Sequence, residues 1–312
     1  MAILVADVGG TNSRLALANV SGVNHETVRR FANVEFRSFY DVIEAYLKVE
    51  RADKIEACCI AIAGHVSGKS AKLTNLNWQF SADEMKRHLS CGRVQFLNDL
   101  TALGYSIDKL GQDCLTRINQ IDVPVVKNGQ SLVVGIGTGF NICPIKRNSK
   151  NHMICMEAEY GHSKLSECIL DEVGITTQES RAQFDTVERL FSGQGLLRLY
   201  SLLANETLSS VPKLIELHQS KEHPYSREVL EKFAHALGSL TSELVLRYLP
   251  MDGIYFAGSI ARVLFESGTK STFCESFNNA NNFNKEFKNV PISVINDDFA
   301  PLKGCFAATQ KY

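Results

Sequence analysis

Near the start of the chain, a short polar segment separates two apolar runs at positions 3–6 and 15–18. It combines a carboxylate, paired glycines and a hydroxyl, carried by Asp7, Gly9, Gly10, Thr11 and Asn12. Paired glycines let a backbone approach an anion closely, and a threonine hydroxyl can donate to a phosphate oxygen. Asp7 could hold an accompanying Mg²⁺ through water. The segment predicts a phosphate-binding hairpin between two strands, and the alternative is an ordinary tight glycine turn.

The same arrangement occurs again in the second half of the chain. An apolar run at 131–134 leads into a turn that contains Gly137, Thr138 and Gly139, and a second apolar run follows at 142–145. The segment 252–260 is predicted to be a strand that ends in small residues, among them Gly258 and Ser259, before a helix at 262–264. Such a duplication is typical of actin-like ATPases, in which two related α/β lobes close on ATP and each gives one hairpin to its phosphates.

A further set of polar residues could bind and activate a sugar. Asn98 and Asp99 follow a predicted strand at 94–97, where Asp99 could accept the proton of a hydroxyl group. Acceptors and donors for the other sugar hydroxyls would come from Glu159 and His162, which follow a strand predicted at 152–156, and from Glu188. Each has a structural alternative: a helix cap for Asp99, a capping box for Glu188, and an ordinary loop histidine for His162.

Composition narrows the class of protein and of partner. A chain of 312 residues with 45% hydrophobic and 21% charged residues is an ordinary globular protein of two lobes. Lysine and arginine total 33 against 34 acidic residues. The chain therefore has no excess positive charge that would favour a nucleic acid or an anionic membrane as its binding partner. We expect a small substrate. We expect neither a membrane span nor a signal peptide. The nine cysteines lack metal-ligand spacing and predict reduced thiols in the cytoplasm.

The elements that would position these residues alternate along the chain. Helical spacing covers 38–51, a strand buried on both faces covers 55–63, and Ser81 begins another helix. A long helix that Pro250 ends has one apolar face, which consists of Val229, Phe233, Leu237, Leu240 and Leu244. Alternating strands and helices predict mostly parallel sheets covered on both faces. We expect a small α/β lobe from 1–110 plus 297–312 and a large α/β lobe from 111–296.

Taken together, these segments make the chain resemble the bacterial glucokinases of the proteobacterial type, from Leu4 to about Ala308. The matching segments are 7–12 with Arg14, 59–63, Thr74-Asn75 with Trp78, 97–99, 135–139, 159–162, and 188–189 with 192–196. The resemblance implies a two-lobed actin-like (ribonuclease H-like) fold with the active site in the cleft between the lobes. It also implies a cytoplasmic homodimer that uses ATP and Mg²⁺ to phosphorylate glucose or a related hexose at the entry to glycolysis.

The resemblance also implies roles for particular residues. The sugar would be bound by Asn98, Asp99, Glu159, His162 and Glu188, with Asp99 deprotonating its 6-hydroxyl. Gly258 and Ser259 would lie beside the adenosine. The cysteine-rich zinc motif of the related ROK sugar kinases is absent from this sequence, which favours the glucokinase branch.

Four departures from the family pattern leave two alternatives open. Gly64-His65 replaces a usual proline, Ala158 and Tyr160 replace two glycines of the sugar loop, and Ser259 and Asn141 each stand where glycine is more common. A kinase for another aldose or an amino sugar is one alternative, suggested by the sugar loop and by His65. A sugar-sensing protein that binds without turnover is the other, suggested by Ser259 and Asn141.

Overall fold

The structure is a computed structural model, and it describes residues 2–52, 54–73, 76–121, 123, 125–221, 223–280 and 285–310. Thr74 and Asn75, which belong to the sequence resemblance, lie outside the described residues. The strands are β1 (Ala2–Val8), β2 (Asn12–Asn19), β3 (Gly22–Val23), β4 (Arg29–Ala32), β5 (Ile55–Ile62), β6 (Gly64–Ser67), β7 (Ser70–Leu73), β8 (Gln79–Ser81), β9 (Arg93–Asn98), β10 (Leu115–Arg117), β11 (Gln130–Ile136), β12 (Phe140–Arg147), β13 (Met153–Cys155), β14 (Gly253–Ala257) and β15 (Ile292–Ile295).

The helices are α1 (Phe39–Glu50), α2 (Ala82–Leu89), α3 (Asp99–Ser106), α4 (Glu167–Glu172), α5 (Gln178–Gln183), α6 (Val187–Leu190), α7 (Gly193–Ala204), α8 (Val211–Ser220), α9 (Pro224–Tyr248), α10 (Ser259–Glu266), α11 (Lys270–Ala280), α12 (Lys285–Lys288) and α13 (Ala300–Thr309). The chain divides into two units, the first formed by Met1–Gly111 with Asp297–Tyr312 and the second by Gln112–Asn296.

Each unit is built on a mixed sheet, and the two strand orders correspond except that the second has a further strand, β10, at its edge. In the first unit the order is β3-β2-β1-β5-β9, with β4 paired to β2, and in the second it is β13-β12-β11-β14-β15-β10. The central strand, β1 or β11, pairs antiparallel with the strand that follows it in the chain and parallel with β5 or β14. The predicted α/β fold and its internal duplication are therefore confirmed. The prediction of mostly parallel sheets is wrong, because each glycine turn joins its two strands as an antiparallel hairpin and further antiparallel strands extend each sheet.

The sheet of the first unit is covered on both faces. Alternate residues of β1 point to opposite sides, so that Leu4 packs in the cluster that contains α1 and Val5 packs in the cluster that contains α13. Helix α1 begins with a capping box in which the Ser38 hydroxyl accepts the backbone N–H of Asp41 and the Asp41 carboxylate accepts that of Ser38. All nine cysteines are free thiols.

The second unit is organised around the long helix α9. Its five predicted apolar residues are 1% exposed or less, and Leu249 ends the helix in a left-handed conformation before Pro250. One prediction is wrong in position: the strand at 252–260 is shorter, and the helix expected at 262 begins at Ser259. Gly258 has a φ of 98°, which ends β14 and lets α10 begin at once. The apolar segment predicted as one strand therefore belongs to both β14 and α10, and its composition does not show where the strand ends and the helix begins.

Candidate active site

Strand register brings the carboxylates of the first unit to one edge of its sheet. Val8 is paired with Ile62 in the parallel β1–β5 ladder, and Ile62 is paired with Asn98 in the parallel β5–β9 ladder. The ends of β1 and β9 are therefore level, separated by two strand spacings, or about 10 Å. Asp7 lies at one of these ends and Asp99 directly follows the other. Ligands of open α/β sheets bind at the carboxyl ends of strands, which is where both side chains are.

The Asp7 carboxylate is in a poorly hydrated place with one cationic neighbour. Its side chain is 17% exposed, and its Oδ2 atom lies 3.4 Å from Nη1 of Arg14. Burial raises the pKa of Asp7, and the charge of Arg14 opposes that increase. Within the described residues, no group of three or more His, Cys, Asp and Glu side chains could hold a metal ion. A cation at Asp7 would need further oxygen ligands from phosphate and water, which is the usual ligation of Mg²⁺.

The glycine turn between β1 and β2 is held in place by Asn33. The Asn33 side chain donates to the Gly9 carbonyl over 2.8 Å, and its backbone N–H donates to the Thr11 carbonyl over 2.9 Å. The Ser13 hydroxyl donates in turn to the Asn33 Oδ1 atom over 2.7 Å. Gly9 also donates its N–H to the Asn12 carbonyl, which closes the turn. The sequence by itself does not predict this role of Asn33. Gly9, Gly10 and Thr11 remain at least partly exposed at the tip of the turn.

Asn98 and Asp99 begin helix α3 in different roles. Asn98 is the cap, because its Oδ1 accepts the Leu100 N–H over 3.0 Å, and its Nδ2 donates to the Gly64 carbonyl over 3.3 Å. Asp99 is the first helical residue, and its Oδ1 accepts the same Leu100 N–H over 2.9 Å. The helix-cap interpretation of Asp99 is therefore wrong, since Asn98 fills that position. Asn98 is the last residue of β9 and Asp99 is the first residue of α3, so both side chains lie at the edge of the sheet where a regular strand passes directly into a regular helix.

The glycine turn of the second unit is held by a charged side chain. Gly137 donates its N–H to the Gly139 carbonyl over 2.9 Å, and the Phe140 N–H donates to Glu188 Oε2 over 2.9 Å. A Cβ atom at Gly139 would overlap that same carboxylate oxygen, so a larger residue there would displace the end of the Glu188 side chain. Gly193, at the start of α7, donates its N–H to the Gly137 carbonyl over 2.8 Å. Thr138 is exposed at the tip of the turn.

The position of Glu188 also decides between its two interpretations. The cap of α6 is Thr186, which makes no side-chain cap bond, and Asp185 is paired with Arg189 at 3.3 Å. Glu188 therefore does not complete a capping box with Asp185. Its carboxylate reaches the end of the glycine turn instead.

The loop that carries Glu159 and His162 packs on this same turn. Tyr160–His162 form a single 3₁₀ turn, and the His162 Nε2 atom lies 3.9 Å from Glu159 Oε2. Both of these side chains are about three-quarters exposed, at 73% and 75%. Gly161 is buried, and a Cβ atom there would overlap the Phe140 carbonyl and lie 3.3 Å from the Glu188 Cβ atom. The three sugar residues predicted in this unit, Glu159, His162 and Glu188, therefore surround the end of one hairpin.

A groove beside the second hairpin adds residues that the sequence did not indicate. Gly258 approaches the Ile136 carbonyl so closely that a Cβ atom would overlap it. The next residue, Ser259, lines a cavity of about 400 Å³ with two residues of α10 and several of α8. The remaining lining residues are Ile260, Val263, Val211, Pro212, Ile215, Glu216 and Gln219. The wall from α8 could not be identified in the sequence, because its apolar residues have the spacing of any half-buried helix.

Comparisons with known proteins point to one family. The glucokinase family model matches residues 4–312. A glucokinase of Citrobacter koseri is 30% identical over 310 residues, which cover 96% of this chain and 94% of that protein. The crystal structure of a glucokinase from an Antarctic psychrotroph is similar with a TM-score of 0.85 and 25% identity, covering 100% of this chain and 99% of that one. A ROK family glucokinase from Streptomyces griseus, solved with glucose and AMPPNP, shares the fold at a TM-score of 0.65 and 16% identity, covering 98% of each chain.

Proposed function

The chain belongs to the glucokinase family, and we propose that Asp99 is the general base of its reaction. The activity is the ATP-dependent phosphorylation of glucose to glucose 6-phosphate and ADP. The observation that carries the proposal is the strand register, which brings Asp99 level with Asp7 at the carboxyl edge of one sheet. A phosphoryl acceptor needs a base, and its donor needs a cation, so the two carboxylates have complementary tasks.

The proposed chemistry at Asp99 is a single proton transfer. The 6-hydroxyl oxygen of glucose forms a bond to the γ-phosphorus of ATP while the bond from that phosphorus to ADP breaks. The Asp99 carboxylate accepts the hydroxyl proton in the same step. A positioned base contributes about 10²- to 10⁴-fold to such a rate. Asn98 supports this role because its cap fixes the first turn of the helix on which Asp99 lies.

The two glycine turns are the proposed phosphate ligands. Their backbone N–H groups and threonine hydroxyls suit an anion, and they come from Gly9, Gly10, Thr11 and Asn12 in one unit and from Gly137, Thr138 and Gly139 in the other. Asp7 is the proposed ligand of Mg²⁺ through water. The ion, when bound, neutralises charge on the transferred phosphoryl group. Burial of Asp7 supports this assignment, because a nearby cation stabilises a carboxylate whose ionisation burial disfavours.

The remaining assignments concern the sugar and the adenosine. Glu159, Glu188, His162 and Asn98 offer acceptors and donors for the other sugar hydroxyls. The groove between α8 and α10, with Gly258 and Ser259 at its edge, is the proposed adenosine site. Its largely apolar lining suits a flat base, and Ser259, Glu216 and Gln219 add polar groups.

The proposed assembly and location are a homodimer in the cytoplasm. Nine free thiols suit a reducing compartment. Among the described residues, no helix combines the length and the apolar character that crossing a membrane requires. Light scattering on the purified protein tests the dimer directly, because a mass near 34.6 kDa would be that of a single chain.

The variant Asp99→Asn tests the base. Asparagine keeps the shape and one hydrogen-bond acceptor but cannot take the proton, so we expect kcat to fall by about 100-fold or more while glucose binding persists in calorimetry. The matched control is Asp83→Asn, since Asp83 is also an aspartate in the first turn of a helix that follows a strand, and it is exposed. Retention of more than about a tenth of the wild-type kcat would overturn the role of Asp99.

A panel of sugars tests the substrate. ADP release is measured with glucose, other aldoses and amino sugars in the presence of ATP and Mg²⁺, and we expect the highest kcat/KM for glucose. A higher kcat/KM for another sugar would move the preference to that sugar. Sugar binding without ADP release would support the regulatory alternative and overturn the assignment of a catalytic site.

A further inference from the structure

Two residues that depart from the family pattern contact each other in the structure. Asn141 lies just after the second glycine turn, and Tyr160 lies on the sugar loop, where the family usually has glycine. The Tyr160 backbone N–H donates to Asn141 Oδ1 over 3.0 Å, and Asn141 Nδ2 donates to Glu159 Oε2 over 3.2 Å. Asn141 Oδ1 also accepts the N–H of Ile142 over 2.9 Å, which fixes the orientation of the carboxamide.

The carboxamide of Asn141 is the side chain that these contacts require. It presents an acceptor to two backbone N–H groups and a donor to a carboxylate at the same time, which neither glycine nor aspartate can do. Glu159 is 75% exposed, and the His162 Nε2 atom lies 3.9 Å from its Oε2 atom, which is beyond hydrogen-bond distance. Without the bond from Asn141, the Glu159 side chain would therefore occupy several rotamers. The bond from Asn141 selects among them. The contact therefore affects a group that the proposed function places on the sugar.

The aromatic ring of Tyr160 fastens the same loop on its other side. The ring centroid lies 6.4 Å from that of Phe140, and the guanidinium carbon of Arg247 lies 5.4 Å from it. Arg247 also donates a hydrogen bond to the Tyr160 hydroxyl oxygen, and its other terminal nitrogen lies 2.8 Å from Glu243 Oε2. Arg247 and Glu243 belong to α9, the long central helix of this unit. The ring thus joins the sugar loop to a rigid element.

We propose that Asn141 is a positioning residue that orients the Glu159 carboxylate for glucose, and that Tyr160, held by Arg247, fixes the loop in the conformation that this requires. The inference rests on the proposed role of Glu159 as a sugar ligand. The two departures are then parts of one local arrangement. The Tyr160 ring holds the loop against α9, and the Asn141 carboxamide orients the Glu159 carboxylate.

The test compares Asn141→Asp with Asn148→Asp. The aspartate introduced by Asn141→Asp would keep an acceptor for the N–H groups of Tyr160 and Ile142 but would replace the donor to Glu159 with a like charge. We expect the KM for glucose to rise about tenfold, corresponding to about 1.4 kcal/mol, with the KM for ATP and the melting temperature nearly unchanged. Asn148 also accepts two backbone N–H groups, those of Lys150 and His152, and it lies in the turn after β12, so its variant controls for the added charge.

A double-mutant cycle with Glu159→Gln shows whether Asn141 acts through Glu159. Glutamine has no charge to repel the introduced aspartate, so the tenfold effect of Asn141→Asp is expected to fall to about twofold or less in that background. Equal effects in both backgrounds would overturn the positioning role. A loss of melting temperature without a change in the KM for glucose would also overturn it, because it would indicate a structural role only.

Two further variants complete the test. Tyr160→Phe removes the bond to Arg247 but keeps the ring, and we expect a rise of about two- to fivefold in the KM for glucose. No change there would overturn the part assigned to the hydrogen bond from Arg247, because the contact of Arg247 with the ring would remain. Glu159→Gln alone separates this inference from the proposed site: an unchanged KM for glucose would refute Glu159 as a sugar ligand. A raised KM in Glu159→Gln with no effect of Asn141→Asp would refute the positioning role alone.

Discussion

The two glycine hairpins share a topology and differ in where their charge is. The first hairpin carries a carboxylate on its own strand, Asp7, and its turn is held by the neutral side chain of Asn33. The second hairpin has no acidic residue on either strand, and its turn is held by a carboxylate from elsewhere, Glu188 of α6. Two turns of similar backbone geometry are thus held by different side chains, a neutral carboxamide in the first hairpin and a carboxylate in the second.

The difference in where the charge lies suits the different tasks that we propose for the two hairpins. A carboxylate on the strand itself stays at a fixed distance from the phosphates that the turn would hold, which suits a metal ligand. A carboxylate that reaches the turn from a neighbouring helix can contact the turn and the sugar together. Glu188 contacts both the glycine turn of the second unit and the loop at 159–162, and would couple them if they hold phosphate and sugar as proposed. Asp7 and Asp99 of the first unit lie instead on separate elements at one edge of its sheet.

The largest expected effect comes from removing the charge on the first hairpin. Asp7→Asn should lower kcat by at least about 100-fold, because it removes the proposed metal ligand. Burial raises the pKa of Asp7 in the folded protein above its pKa in the unfolded chain. As the pH rises above the unfolded-chain pKa, ionising Asp7 in the folded protein lowers the free energy of unfolding, and this loss is present at neutral pH. The melting temperature of the nucleotide-free variant should therefore rise. A fall in both quantities would show that Asp7 is mainly a structural partner of Arg14.

The next effect concerns the carboxylate that supports the second hairpin. Glu188→Gln keeps an oxygen acceptor for the Phe140 N–H but loses the charge that a sugar hydroxyl would contact. We expect the KM for glucose to rise about 10- to 100-fold, as for the loss of a charged hydrogen bond of about 1.5 to 3 kcal/mol, with a much smaller change in the KM for ATP. Equal glucose affinity combined with reduced thermal stability would limit Glu188 to supporting the turn.

Two glycines of the second turn form a matched pair with a smaller effect. A Cβ atom at Gly139 would overlap Glu188 Oε2, whereas one at Gly137 would have no heavy atom within 4 Å. Gly139→Ala should displace the carboxylate and raise the KM for glucose by about fivefold, within the range of overpacking costs. Gly137→Ala should leave the melting temperature unchanged and affect only the KM for ATP. The reverse pattern would contradict the coupling of this turn to the sugar site.

An effect of similar size is expected where the two units differ at the neighbouring strand. In the second unit, β14 leads through Gly258 into α10, whereas its counterpart β5 leads into β6. Ser259→Gly should change the KM for ATP by about two- to tenfold and leave the KM for glucose nearly fixed. Ser259→Ala keeps the Cβ atom and removes only the hydroxyl, so the pair separates steric from hydrogen-bonding effects. An unchanged KM for ATP in both variants would remove this turn from the nucleotide site.

The sequence was sufficient for the repeated hairpins and for most of the regular elements around them. Apolar runs on both sides of a glycine turn predict paired strands, and helical spacing predicts the buried face of α9. These features depend on residues that are close in the chain. The start of α10 was placed three residues late, because an apolar run that crosses from a strand into a helix carries no change of composition.

The tertiary structure alone decided which side chains hold the site together. Asn33 supports a turn 24 residues before it, Asn141 reaches a loop 18 and 19 residues later, and Arg247 contacts a tyrosine 87 residues away. A single polar residue has no periodicity, and its partner can be any donor or acceptor that the fold brings near. The chain itself thus determined which chemical groups were present and on which elements, while the packing of distant segments determined how those groups are oriented.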